Sequence, residues 1–297
     1  MAIFIVGSLN MDLVIKAPFM PENGVTISGE GFMTNPGGKG ANQATAVGKL
    51  GGDAYMVGCV GEAFGDQLIA TLNGYNVHTD YVQKLNDVSS GIAVIVVVDG
   101  DNRIILDSGA NGLVTSEMID RALENAKAGD YLICQLEIDL AMVEYALRKG
   151  KEKGMITVLN PAPAKSLTDG IISNSDYFIP NQSEAEFYTG TYPTDEASAR
   201  KCAEILAKKG VKHLLITMGK EGAAYVSGGE FIKVDSFKVT AVDTTAAGDT
   251  YVGAFVTALS EGQDVRSAMT FASKAASITV TRNGAQQSIP TREEVTL

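Results

Sequence analysis

Short, wholly apolar runs recur along this chain, separated by segments whose apolar residues return every three or four positions. The runs predict strands at 2–6, 54–58, 92–98, 103–107, 131–136, 155–159, 176–179, 213–217, 222–226 and 230–234. The periodic segments predict helices at 39–50, 65–73, 116–128, 140–152, 184–189, 196–209, 249–260 and 265–280. From about residue 110 to 217 the order is helix, strand, helix, strand, strand, helix, helix, strand. Tyr131–Cys134, Met155–Val158 and Leu214–Ile216 are apolar without alternation. A strand with one face in water would alternate, so these are expected to be parallel strands buried on both faces. The predicted class is α/β, a mostly parallel central sheet covered by helices on both faces.

Two segments interrupt this rhythm. Residues 10–36 and 88–107 are strand-rich with no helix between the strands. The second contains a hairpin signal, Ile92–Val98 and Arg103–Asp107 joined through Asp99-Gly100-Asp101-Asn102. Together they predict a small β-sheet at one edge of the main sheet. Ligands of open α/β sheets bind beyond the carboxyl ends of the strands, so a β layer there would act as a lid. No linker or repeat interrupts the chain, and a single domain over 1–297 is expected, with both segments as excursions from it.

Composition narrows the class. Hydrophobic residues are 45% and charged residues 20% of the 297, which describes a packed globule. No run of 18 apolar residues exists to span a membrane. The start, Met1-Ala2-Ile3-Phe4-Ile5-Val6-Gly7, lacks a basic region and reads as a first strand. Cys59, Cys134 and Cys202 form no metal or disulfide pattern, which favours a reducing, cytoplasmic setting. A net charge of −11 without a basic run argues against nucleic acid as a partner. The 32 glycines exceed the usual share and call for an explanation.

The common nucleotide signatures are missing: no Gly-Lys pair is followed by Ser or Thr, and no G-x-G-x-x-G follows the first strand. Two other glycine motifs stand out. Asp243-Thr244-Thr245-Ala246-Ala247-Gly248-Asp249 enters an apolar helix. Small residues there let a ligand approach the backbone, and the free N–H groups of a first helical turn favour an anion. Asp249 would be repelled by that anion, yet it could take a proton from an attacking hydroxyl; as an alternative it merely complements the helix dipole. Asn35-Pro36-Gly37-Gly38-Lys39-Gly40-Ala41-Asn42-Gln43-Ala44 also enters a helix. Its backbone, lysine and amide suit a polyhydroxylated ligand, although a tight turn with a solvated lysine fits the motif taken alone.

These two motifs resemble the signature regions of the ribokinase-like carbohydrate kinases. Gly51 and Gly61 stand at the expected distances, and Gly7–Asp12, Asn181–Glu186 and Thr281–Gln286 add to the resemblance, which covers about residues 1–290. It implies a ribokinase-like fold and an ATP-dependent sugar kinase, with D-ribose 5-phosphate and ADP as first-choice products. Other acceptors stay open: fructose, 2-deoxyribose, 2-keto-3-deoxygluconate or a nucleoside. A non-catalytic sugar-binding relative is disfavoured, because Lys39, Gly248 and Asp249 are all present.

By the same resemblance, Asp249 is the base, and Ala246, Ala247 and Gly248 supply the backbone anion hole. Asn10, Asp12, Gly38, Lys39, Gly40, Ala41, Asn42, Glu137 and Asp249 bind the sugar. Asn181, Thr217, Met218, Gly219, Lys220, Glu221, Gly222, Gly248, Asp249 and Ser273 bind ATP. Glu184 helps to place Mg2+, through water. Asp243, Thr245, Thr279, Arg282, Gly284 and Ser288 match a potassium site built mostly from backbone carbonyls. A homodimer through the β lid is implied as well, and the apolar run Ile92–Val98 would be a sticky edge if uncovered. A structural role competes at one point: Ser183 and Glu186 predict a capping box for the helix at 184–189.

Overall fold

The structure is a computed structural model and describes residues 1–296. The elements follow in chain order: β1 (Ala2–Val6), β2 (Asn10–Lys16), β3 (Glu30–Gly37), α1 (Lys39–Lys49), β4 (Asp53–Val60), α2 (Gly65–Gly74), β5 (Val77–Lys84), β6 (Gly91–Val98) and β7 (Asp101–Asp107). Then come α3 (Ser116–Leu123), β8 (Tyr131–Cys134), α4 (Leu140–Glu152), β9 (Ile156–Leu159), α5 (Asp169–Ser173), β10 (Tyr177–Phe178), α6 (Gln182–Thr189) and α7 (Glu196–Ala207). The chain closes with β11 (His213–Thr217), β12 (Ala223–Ser227), β13 (Glu230–Val234), α8 (Ala247–Ser260) and α9 (Val265–Thr279).

The main sheet has the order β13-β12-β11-β10-β9-β8-β1-β4-β5. It is parallel from β5 to β11, and β12 and β13 continue it antiparallel. Neighbouring residues of a strand point to opposite faces. Ile3 and Ile5 of β1 therefore enter one core with α1, α2, α8 and α9, while Phe4 and Val6 enter another with α3 to α7. Tyr131 and Ile133 of β8 divide from Leu132 and Cys134 in the same way. The unalternating apolar runs are thus strands covered on both sides, as the pattern predicts.

The second sheet has the order β3-β2-β6-β7 and lies within the two segments that interrupt the helical rhythm. β2 pairs antiparallel with β3 and parallel with β6, and β6 and β7 form the hairpin.

Two elements escape the sequence pattern. β5 is an edge strand bonded only to β4, and its polar residues face water. α5 has five residues, too few to show a helical period, and starts where the Thr168 hydroxyl caps the Ile171 N–H. α3 also stops at Leu123, short of the predicted 128: the Glu124 and Ala126 N–H groups bond to the carbonyls three residues back, Arg121 and Leu123, in turns that do not continue the helix.

Strand order places the crevice. After β1 the chain builds outward through β4 and β5, then returns to set β8 on the other side of β1. This reversal opens a gap beyond the carboxyl ends of β1 and β8, where ligands of open sheets bind. Gly7–Asn10 and Gln135–Ile138 leave the sheet at that gap.

The opposite end of the sheet is tied by Asp176. Its carboxylate meets Lys151 Nζ at 2.6 Å and Lys212 Nζ at 2.9 Å, and it accepts from the Thr157 N–H and hydroxyl. Burial alone would raise its pKa, but these partners bring it down to about 2. A depressed folded-state pKa gives stability that is present above about 4 and lost as pH falls toward 2. Asp176→Ala is expected to destabilise by about 2–3 kcal/mol at pH 7, since it strands buried donors. Denaturant unfolding should show the two proteins converging as pH is lowered to 2; a constant difference would contradict this.

Candidate active site

The site begins with a close approach. A Cβ on Gly40 would lie 2.6 Å from the Ser8 nitrogen, so only glycine lets the first turn of α1 rest on the Gly7–Ser8 backbone. Gly38 stands before the helix at φ 89°, a conformation that L side chains rarely adopt. The contact is fixed by the Ala41 N–H donating to the Ser8 carbonyl at 2.9 Å. Residues three and four apart share a helix face, so Lys39, Asn42 and Gln43 look the same way. Glu137, just beyond β8, accepts from the Lys39 N–H at 3.0 Å and the Ser8 hydroxyl at 2.6 Å. A carboxylate at a helix N-terminus is favoured by the dipole.

Asn10 is set by Asn111, a buried residue that follows β7. Asn111 Oδ1 accepts from the Leu9 N–H, and its Nδ2 donates to the Leu9 carbonyl and, at 2.7 Å, to Asn10 Oδ1. Backbone groups cannot exchange roles, so the orientation is fixed and Asn10 keeps its own NH2 for another acceptor. Asp12 lies over Gly37, where a Cβ would come within 2.6 Å of its carboxylate. Burial, with the charges of Glu137 and Asp249, pushes the Asp12 pKa up to about 7.

Asp249 is buried in the first turn of α8. Its Oδ2 accepts from Asn42 Nδ2 at 2.9 Å and its Oδ1 from Gln43 Nε2 at 3.0 Å. Burial raises its pKa, and Lys39 and the two amides offset part of that. For Lys39, burial works to lower the pKa, but Asp249, Glu137 and Glu184 outweigh it and the net direction is up. Ala246 precedes α8 at φ 59°, which turns the helix N-terminus toward a cleft of about 230 Å³. Lys39, Asn181, Glu184, Thr217, Ala246, Ala247, Gly248 and Asp249 line it. A larger cleft of about 280 Å³, between α7 and the β12–β13 turn, has mostly apolar walls and no converging carboxylates.

The capping box of α6 is not the predicted one. Asn181 Oδ1 accepts from the Glu184 N–H, and Glu184 Oε2 accepts from the Asn181 N–H, both at 2.8 Å. The helix therefore starts at Gln182, two residues earlier, and Ser183 and Glu186 play no part in its cap. The Asn181–Glu184 pair that lines the cleft is itself the cap.

Other predicted residues are placed as follows. Met218–Gly222 forms a tight turn in which Met218 is buried, Lys220 and Glu221 are exposed, and only the adjoining Thr217 reaches the cleft. Gly222 has φ 90°, and a Cβ would meet the Val234 carbonyl, so local packing demands glycine there. Ser273 has its hydroxyl buried without a partner beside Tyr251, between α8 and α9. Asp243 accepts from the Thr245 N–H and hydroxyl and from the Gly284 N–H, and so ties the 243–245 loop to the 280–284 loop. The side chains of Thr279 and Ser288 bond internally to Ala275 and Ala285, and Arg282 turns out to Glu294.

Three residues at the site carry no signal in the sequence pattern, Asn111, Gln135 and Asn160, and a fourth, Gln43, is given no role by it. Gln43 stands inside a quoted motif, but its bonding depends on partners 92 and 117 residues away. Asn160 could have been suspected from its place just after β9, beyond a strand carboxyl end.

Residues 2–292 match the pfkB family carbohydrate kinase pattern. The chain is 42% identical to a ribokinase of Schizosaccharomyces pombe over 99% of this chain and 96% of that one. It is 37% identical to a deoxyribokinase of Salmonella typhi, over 99% and 97%. The solved structure of an Arabidopsis thaliana ribokinase complexed with ribose and ATP superposes with a TM-score of 0.89 at 32% identity, covering 99% of this chain and 97% of that one.

The Asp12 carboxyl has a stability consequence of the opposite sign to Asp176. Its pKa is 3.8 in the unfolded chain and about 7 when folded. The stability it contributes is present below about 4 and lost as pH rises through 7. Asp12→Asn cannot ionise, so its melting temperature should rise relative to wild type between pH 4 and pH 8. A difference independent of pH would contradict the assignment.

Proposed function

The chain belongs to the pfkB family of carbohydrate kinases, and from that premise we propose that it transfers the γ-phosphoryl group of ATP to the primary hydroxyl of D-ribose. The carrying observation is the place of Asp249: a buried carboxylate in the first turn of α8, held by two α1 amides. One side of it faces the polar groups around α1, and the other faces a helix N-terminus. The hydroxyl oxygen forms a bond to the γ-phosphorus, the bond to the bridging oxygen breaks, ADP leaves, and the hydroxyl proton passes to Asp249. Backbone N–H groups of 246–248 would stabilise the charge on the transferring group.

Asn10, Asp12, Lys39, Asn42 and Glu137 would hold the sugar, together with the backbone of Gly38, Gly40 and Ala41. Asn42 Oδ1 supports this: it is buried without a partner, an acceptor that a sugar hydroxyl would satisfy. Three carboxylates against one lysine suit a neutral polyol and repel a sugar that already carries phosphate. The 2-deoxy sugar is the second reading, favoured by the Salmonella relative.

ATP would extend from the cleft along Asn181, Glu184 and Thr217 toward the 218–222 turn and Ser273. Glu184 spends only Oε2 on its cap, which leaves Oε1 for a water on Mg2+. The metal would neutralise phosphate charge. Potassium, held mainly by carbonyls around Asp243, Thr245, Thr279, Arg282, Gly284 and Ser288, would reinforce the tie that the Asp243 carboxylate makes between two loops. We place the reaction in the cytoplasm; all three cysteines are free and buried, and no helix among the described residues is long and apolar enough to cross a membrane.

ADP release with a panel of sugars, in potassium and in sodium buffer, tests this. D-ribose with potassium should give the highest kcat/KM, and Asp249→Asn should lower kcat by about 10³-fold or more while ATP still binds. Preference for another sugar would overturn ribose, equal rates in the two buffers would remove potassium, and a near-normal variant would remove Asp249 as base.

A homodimer through the second sheet is part of the proposal. β7 exposes Ile104, Ile105 and Leu106 at 55%, 70% and 52%, with Phe32 at 65% on β3. β3 and β7 are the two edge strands of this sheet, and exposed apolar side chains on such edges are ordinarily covered. Sedimentation should show a dimer that Ile105→Lys converts to monomer; a wild-type monomer at micromolar concentration would contradict it.

A further inference from the structure

Asp249 does not hold its orientation alone. Gln43 is fully buried, and each atom of its amide is committed. Nε2 donates to Asp249 Oδ1 at 3.0 Å and to Asn160 Oδ1 at 3.1 Å, while Oε1 accepts from Gln135 Nε2 at 2.6 Å. The chain of amides ends on the backbone, where Asn160 Nδ2 donates to the Ile179 carbonyl at 2.9 Å. A carbonyl only accepts, so Asn160 must turn its NH2 to Ile179 and its Oδ1 to Gln43. Gln43 must then present its NH2 to Asp249. The hydrogen-bond direction at the carboxylate is thus set by the Ile179 peptide group just beyond β10, shortly before the α6 cap at Asn181.

We propose that Gln43, aligned by Asn160, is a positioning residue that holds the Asp249 carboxylate in its proton-accepting orientation. The inference rests on Asp249 being the base. A free carboxylate would rotate about its Cβ–Cγ bond and present either oxygen at a range of angles. Donors from Asn42 and Gln43, one on each oxygen, hold the plane and leave the remaining lone pairs for the substrate. Each donor also favours the ionised form. The other charged groups that face Asp249 are Lys39 of α1, which favours ionisation, and Glu137 after β8, Asp12 of β2 and Glu184 of α6, which oppose it. Removing the Gln43 donor therefore shifts that balance toward the protonated form.

The experiment compares Gln43→Met, Asn160→Ala and Asp249→Asn with wild type, with both substrates saturating. Gln43→Met should lower kcat by about 10- to 100-fold while sugar and ATP KM change less than about threefold. The acid limb of its kcat–pH profile should move to higher pH by about one unit. Asn160→Ala, which leaves Gln43 in place but unaligned, should move kcat and the acid limb the same way by a smaller amount. If Gln43→Met does not fold, Gln43→Glu keeps the side-chain volume and must shift the acid limb upward as well. An unchanged acid limb in a folded Gln43 variant, or a loss confined to KM, overturns the proposal. Asp249→Asn separates the two claims: if it remains active, the base assignment fails; if it is inactive while Gln43→Met has the wild-type rate and profile, only the positioning role fails.

Discussion

The structure depends on how closely α1 can lie on the Gly7–Ser8 turn. Gly40 permits an approach that any side chain would block, and Gly38 turns the chain into the helix at a positive φ. From that one contact the rest is determined. The helix N-terminus receives Glu137, and its face carries Lys39, Asn42 and Gln43 into the gap between β1 and β8. Asp249 arrives from the opposite end of the sequence and meets the same face, 206 residues from Gln43 in the chain. A shift of α1 by an ångström would therefore disturb the carboxylate and its surroundings together.

The electrostatics of the site follow from the same geometry. An acidic chain that holds a polyanion needs its positive potential concentrated; on the proposed reading it would come from the N-terminus of α8 and the half-buried Lys39, not from a basic surface. The carboxylates are set against each other at a cost to the free protein. Asp12 is held far above its ordinary range by burial and by two like charges. A hydroxylated ligand would relieve that arrangement by donating hydrogen bonds to it. At the other end of the sheet Asp176 is paired with lysines and behaves in the reverse sense, as a structural tie.

Much of the fold was legible because buried parallel strands do not alternate and because glycines mark close approaches. The second sheet was legible from its hairpin and its lack of helical period. What was hidden has physical reasons. The edge strand β5 is polar on its open side, and α5 is too short to show periodicity. The cap of α6 was misplaced because Ser183–Glu186 and Asn181–Glu184 both satisfy the capping spacing, and only the backbone path decides between them. At the site, the residues with unusual chemistry were visible in the motifs. Asn111, Gln135 and Asn160 were not, and the role of Gln43 was hidden although it stands in a motif, since amides acquire a role only from the partners that orient them, and those partners are remote in sequence.

The central claim is that Asp249 stands between the acceptor hydroxyl and the phosphoryl group. A crystal structure with D-ribose and a non-hydrolysable ATP analogue tests it most directly. The primary hydroxyl is expected within about 3.2 Å of an Asp249 oxygen, with the γ-phosphate at the N-terminus of α8. A primary hydroxyl turned away from Asp249, or a phosphate bound elsewhere, would contradict it.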